Sequence, residues 1–149
     1  MANTYSRIYY HAIFSVKNKD YGIHSTWKDE LYKYITGIIK SNNQKVMIIN
    51  GMPDHVHLLI GAVPDFNLSV LVKEVKCNSS KWINKNNFTK AKFRWQTGFS
   101  AFSLGYSQLP MVTEYIKNQE IHHKKRTFRE EYLKFLDLNE IQYDIRYVF

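Results

Sequence analysis

Apolar positions along the chain follow two periods, and the changes between them mark the elements. Residues 8–16 (IYYHAIFSV) are dense in β-branched and aromatic side chains and predict a first strand. Residues 17–25 are polar, contain a glycine and predict a loop. Trp27, Leu31, Tyr34, Ile35, Ile38 and Ile39 then recur at a period of about 3.6, which predicts an amphipathic helix capped by Ser25 or Thr26. Ser41-Asn42-Asn43 ends it. Residues 45–50 (KVMIIN) and 55–63 predict two further strands, and the short Gly51-Met52-Pro53-Asp54 connection makes them an antiparallel hairpin. Leu68, Leu71, Val72, Val75, Trp82 and Ile83 mark a second amphipathic helix to about residue 86, whose polar face carries Lys73, Lys76, Lys81 and Lys85. Residues 93–104 (FRWQTGFSAFSL) predict a fourth strand with Gly98 as a bulge.

A third helix opens at Ser107 or Pro110 and runs to about Lys125. A shorter fourth, over 128–136, has Leu133 and Leu136 on its apolar side and follows a Thr127-to-Glu130 capping box. The tail, 141–149, is aromatic and β-like, and is expected to pack on the domain or on a second subunit. The β-α-β-β-α-β order predicts an α+β, ferredoxin-like (RRM-like) antiparallel sheet with additional C-terminal helices. Strands one and three lie side by side in its middle. Two helices cover one face of the sheet and leave the other free for function or a partner. At 149 residues the expectation is one domain spanning 1–149.

Composition adds a partner class. The net charge is +8, and aromatics make up 15% of the chain, led by eleven Tyr and nine Phe. Cations meet phosphates and flat rings stack on unpaired bases, so this balance suits a nucleic acid, although many of the rings also serve as strand and core formers. The single cysteine, Cys77, rules out an intramolecular disulfide, fits a reducing cytoplasm, and is expected as a small buried or half-buried helix residue. No signal peptide is visible, and no apolar stretch approaches the ~20 residues of a membrane helix.

The chemistry centres on His55-Val56-His57. In a strand these imidazoles point to one face, about 7 Å apart, while Val56 points into the core. Buried imidazoles cost free energy unless something satisfies them, and a divalent metal would. On the third helix Tyr115 and Gln119 stand at i and i+4 on one face, with His122 and Arg126 continuing the row. The oxygen of Gln119 completes a ligand set with the two histidines. The ion polarises a phosphodiester, and Tyr115 attacks phosphorus to form a covalent phosphotyrosine, with nearby cations helping it ionise. Each residue also has an ordinary reading: the pair as structural histidines, Tyr115 as packing, Gln119 as surface, and the 122–126 run (HHKKR) as a solvated face or phosphate patch. His11 and His24 have no partner visible in the sequence and read as structural.

Three separated stretches together resemble one family. These are His55-Val56-His57 after the Gly-Met-Pro-Asp turn, residues 94–103 (RWQTGFSAFS), and residues 114–120 (EYIKNQE) with His122-His123. In this order and spacing, over about residues 9–136, they are similar to the single-tyrosine HUH transposases of small insertion sequences. The resemblance implies a ferredoxin-like sheet, Tyr115 as nucleophile, and His55, His57 and Gln119 as ligands of Mg²⁺ or Mn²⁺. It further implies an obligate homodimer, in which the tyrosine helix of one subunit completes either its own site or its partner's. The implied substrate is single-stranded DNA with imperfect hairpins near element ends. One strand is cleaved to give a 5′-phosphotyrosine and a free 3′-hydroxyl, which can rejoin strands without ATP. Lys73, Lys76, Lys81 and Arg94 are nominated for phosphate contacts.

Three other readings stand beside this one. A domesticated relative would cleave repetitive hairpins in its host genome. A non-catalytic single-strand nucleic-acid-binding module would place aromatics where this chain has two histidines. A two-histidine phosphoesterase would need a second HxT or HxS motif, which the chain lacks.

Overall fold

A computed structural model describes residues 4–149. Strand β1 (Ile8–Ser15) is followed by a single 3₁₀ turn (Lys19–Tyr21) and helix α1 (Lys28–Ser41). Strands β2 (Lys45–Met52) and β3 (His55–Ala62), helix α2 (Leu68–Lys85) and strand β4 (Ser100–Leu104) complete the βαββαβ unit. Four short helices follow: α3 (Leu109–Lys117), α4 (Gln119–His122), α5 (Phe128–Leu138) and α6 (Ile145–Val148).

The sheet is antiparallel, in the order β2-β3-β1-β4, so β3 and β1 are central as expected. Alternation then divides the side chains between two faces. Ala12, Phe14, Val56, Leu58 and Ile60 point to α1 and α2 and build the main core with Leu31, Ile35, Ile39, Leu71, Val75 and Ile83. His11, Ile13, His55, His57 and Phe102 share the opposite face, as the pairing of Ile13 with His57 and of His11 with Phe102 requires.

That second face is not free. A smaller core of Ile13, Phe102, Phe128 and Leu136 seats α5 on it, with Leu133 and Phe135 packed alongside. Helix α3 is pinned near β2, where the Asn50 amide donates to the carbonyl oxygens of Ile116 (3.0 Å) and Lys117 (3.2 Å). These are two of the acceptors a helix C-terminus leaves open.

Several boundaries moved for local reasons. Helix α1 begins after Trp27, whose ring is buried, and neither Ser25 nor Thr26 caps it. The fourth strand shrinks to Ser100–Leu104 because Gly98 adopts a left-handed φ of 84°, which breaks the extended run. Upstream, Trp95 forms an isolated bridge to Val16. The third helix breaks at Asn118 (φ −97°, ψ 27°), and its second piece ends at His122. The capping box of α5 forms as expected, with Thr127 accepting from Glu130 N. The tail is a short helix rather than a strand, and Phe149 packs on Phe128 and Tyr132. Cys77 is exposed, not buried.

Candidate active site

Strand β3 delivers both histidines to the second face at the end where it turns from β2. The turn is tight: Gly51 pairs with Val56, and a Cβ on Gly51 would run into the carbonyl oxygen of His55. Both histidines are 0% exposed, so each nitrogen needs a partner. His55 Nδ1 lies 2.7 Å from Asp54 Oδ1. His57 Nδ1 lies 2.8 Å from Nε2 of His11, which the register places on the same face of β1. His11 therefore belongs to the site, against the expectation that it has no partner. Phe128 stacks on the His55 ring at 4.0 Å between centroids, and Phe135 meets His11 edge-on.

The two Nε2 atoms face Glu131, a residue of α5 that sequence reasoning did not single out. Its Oε1 is 2.9 Å from His57 Nε2, 3.3 Å from His55 Nε2 and 3.2 Å from His123 Nε2. Its Oε2 accepts a hydrogen bond from the Tyr115 hydroxyl and another, at 3.0 Å, from the Gln119 amide. The Gln119 Oε1 in turn lies 2.9 Å from His55 Nε2. Gln119, surface by its ordinary reading, is 0% exposed. The structure thus brings His55, His57, Tyr115 and Gln119 of one chain together around a carboxylate. The tyrosine ring stacks on His122, 4.4 Å between centroids, so the row from Tyr115 survives the break at Asn118.

Charges follow the contacts. Burial raises the Glu131 carboxyl, but hydrogen bonds from His55, His57 and Tyr115 outweigh it and leave it far below the usual carboxylate range. Burial pulls His57 down to about 4, and burial with the neighbouring His57 takes His11 down to about 3, so both are neutral near pH 7. Burial also lowers His55, but Asp54 and Glu131 overcome it, and the net shift is upward. Tyr115 is raised, by burial first and then by Glu131, while Arg126 and Gln119 oppose the shift. The cations expected to ionise Tyr115 are therefore outweighed in this arrangement.

The donor set fits a divalent ion. The ligand atoms of His55, His57 and Glu131 lie within 4.8 Å of one another. Neighbouring ligands on an octahedral ion with bonds of about 2.1 Å stand about 3 Å apart. The separations of 2.9 Å (His57 to Glu131), 3.3 Å (His55 to Glu131) and 2.9 Å (His55 to Gln119) match that spacing. Two imidazoles with two oxygens form a mixed set that hard and borderline cations accept. Glu131 has a weak sequence signal, being one of two adjacent acids just after a helix cap. His11 had only its place on the strand expected beside His55 and His57, and which face it takes depends on the register.

The nominated basic residues divide. Lys73, Lys76 and Arg94 line one groove between α2 and residues 94–99, and Lys81 is not part of its lining.

A four-stranded antiparallel sheet thus carries a buried histidine pair, a carboxylate and a tyrosine from a following helix on one face, a group that could hold a metal ion. The sequence pattern described as "Transposase IS200 like" matches residues 4–119, and the chain belongs to that family of transposases. It is 33% identical over 72 residues to the ISDra2 transposase TnpA of Deinococcus radiodurans, a match covering 48% of this chain and 51% of that protein. The chain therefore spans about half the length of that curated relative. A crystal structure of a Deinococcus radiodurans transposase superposes with a TM-score of 0.63 at 22% identity, covering 80% of this chain and 95% of that one. A REP-associated tyrosine transposase bound to a REP hairpin gives 0.64 at 14% identity, covering 83% and 73%. These two likenesses are of fold.

Proposed function

We propose that this chain cleaves and rejoins single-stranded DNA at hairpin-marked element ends through a 5′-phosphotyrosine. The observation that carries this reading is the convergence of Tyr115 with two buried imidazoles, Gln119 and Glu131 on one point. His55, His57, Glu131 and Gln119 would hold Mg²⁺ or Mn²⁺, which when bound polarises the scissile phosphate and offsets its developing charge. The Tyr115 oxygen forms the new bond to phosphorus. Its proton is released to solvent as the bond forms, and the 3′-oxygen departs with the electron pair of the broken ester and takes up a proton to become the free 3′-hydroxyl. His11 and Asp54 fix the two imidazole rings from behind, as outer partners of metal-bound histidines do.

The hairpin in the REP-associated neighbour supports DNA as the partner, and so does the charge of +8. Helix α5 covers the histidines and also carries Glu131, so the reading keeps α5 docked and brings the scissile phosphate in beside the half-buried Tyr115. A homodimer belongs to the same reading, and Ile145 and Tyr147 in the tail are exposed apolar candidates for its contact. A stacking module needs an open sheet face, and α5 covers it here, which disfavours a purely binding role. The test is incubation with hairpin single-stranded DNA and Mg²⁺ or Mn²⁺. A covalent protein–DNA adduct is expected, absent in Tyr115→Phe and strongly reduced in His57→Ala. An adduct that persists in Tyr115→Phe would remove Tyr115 from this role.

A further inference from the structure

Away from the histidines, a groove of about 520 Å³ opens between α2 and the segment before β4. Its apolar lining is Val72, Trp95 and Phe99. Trp95 is held in place by its indole N–H, which donates to Ser79 Oγ at 2.9 Å. The far wall is shaped around a cation. The Lys76 ammonium donates to the carbonyl oxygens of Gln96 (2.7 Å) and Gly98 (2.6 Å), and the left-handed Gly98 lets the backbone curl over it. Lys73 and Arg94 stand exposed in the lining, and none of the lining residues is acidic.

The groove is tied to the active site through the backbone. Gln96 N donates to Ser15 O at 2.7 Å, and Ser15 is the strand partner of His55. Two strand spacings, about 10 Å, separate the groove wall from the histidine strand. The groove lies on the α2 face of the sheet and the histidines on the other, so a single strand leaving the site reaches it by passing round the sheet edge at residues 94–104.

We infer that this groove receives an unpaired base of the single-stranded DNA flanking the cleaved bond, with Lys73 and Arg94 on the adjoining phosphates. The inference rests on the DNA reading proposed above. An apolar slot with an aromatic wall suits the faces of a base, and exposed cations without a carboxylate suit its backbone. The volume lies within the range of small-ligand pockets and accommodates a nucleoside.

The only cysteine of the chain, Cys77, lines this groove and is exposed, which makes it a reporter. Its rate of modification by a thiol reagent is measured with a saturating hairpin oligonucleotide bearing a single-stranded extension. The comparisons are the same hairpin with an abasic extension and a blunt hairpin. Protection of about tenfold is expected with the base-bearing extension alone, in line with the energy of one stacked base. Equal labelling in all three complexes, with binding confirmed by fluorescence anisotropy, overturns the inference and leaves the transposase reading intact. Equal protection by the abasic extension also overturns it, because phosphates alone would then occupy the groove. Absence of any DNA binding overturns both readings. Cys77→Trp fills the groove from an exposed helical position and leaves the thiol out of the experiment. It is expected to lower affinity for the extended hairpin to that of the blunt one, with blunt-hairpin affinity unchanged, and unchanged affinity for the extended hairpin counts against the inference.

Discussion

Replacing Glu131 tests the whole arrangement, because one carboxylate holds the histidines, the tyrosine and the glutamine at once. In Glu131→Ala, His57, Tyr115 and Gln119 each lose the acceptor they reach in the folded chain. His55, raised in part by Glu131, loses its closest buried counter-charge. Breaking a buried ion pair by removing one partner costs about 3–5 kcal/mol. For a chain of this size each kcal/mol moves the melting temperature by about 3 °C, so a fall of roughly 10–15 °C is expected in metal-free buffer. Glu131→Gln keeps the volume and one acceptor oxygen, and should lose about half as much. Thermal and urea unfolding with chelator present measure both. A loss below about 1 kcal/mol in Glu131→Ala would refute the view that the carboxylate organises the unloaded site. Manganese titration of Glu131→Gln adds a second arm: if Glu131 is a ligand, affinity falls, and tighter binding would mean that the carboxylate only blocks the site.

His11→Phe removes the group behind His57 at similar bulk, and should weaken manganese binding by about 10–100-fold with the fold retained, as seen by titration and circular dichroism. Gly51→Ala forces a methyl against the His55 carbonyl and should cost about 1–3 kcal/mol in urea unfolding. Stability in chelator should fall steeply from pH 6.5 to 4. His57 and His11 are depressed to about 4 and about 3, so the unfolded chain binds protons there that the folded chain refuses. His57 alone contributes about 3 kcal/mol of that loss. The stability due to Glu131, held below its ordinary value, is present above the usual carboxylate range and fades on further acidification. His55, shifted upward, acts in the opposite sense, and its contribution fades as pH rises through its folded value. A flat stability profile from pH 7 to 4 would contradict these assignments.

Much of this arrangement was legible because it depends on local pattern. Period-two and period-3.6 runs located the strands and helices, and the strand alternation put His55 and His57 on one face. Tyr115 and Gln119 followed from helical spacing, which holds across the break at Asn118. Glu131 and His11 were not legible, since their roles depend on register and on how α5 docks. A glutamate in the first turn after a Thr127 cap reads as a solvated charge favoured by the helix dipole, and only the docking of α5 on Ile13 and Phe102 of the sheet buries it. The sheet face expected to stay open is closed for the same reason. Cys77 is exposed because it sits beside Lys76 on the groove side of α2, where nothing packs in the isolated chain.

Counting hydrogens around β3 gives the site a further property. His55 meets acceptors at both ring nitrogens, Asp54 on one side and Gln119 with Glu131 on the other, an arrangement that favours its doubly protonated form. His57, neutral, gives its only proton to Glu131 and accepts one from His11. Neither Nε2 then has a lone pair to offer. For these atoms to become ligands, His55 must shed a proton, and the proton of His57 must pass to its other nitrogen. That in turn obliges His11, the next ring, to change tautomer. Were the proposed ion to bind, its uptake would be coupled to proton release into solution from His55 and to a tautomer change in two imidazoles, His57 and His11. Both can be followed as acidification of a weakly buffered sample and as changes in the ring ¹⁵N shifts of His11.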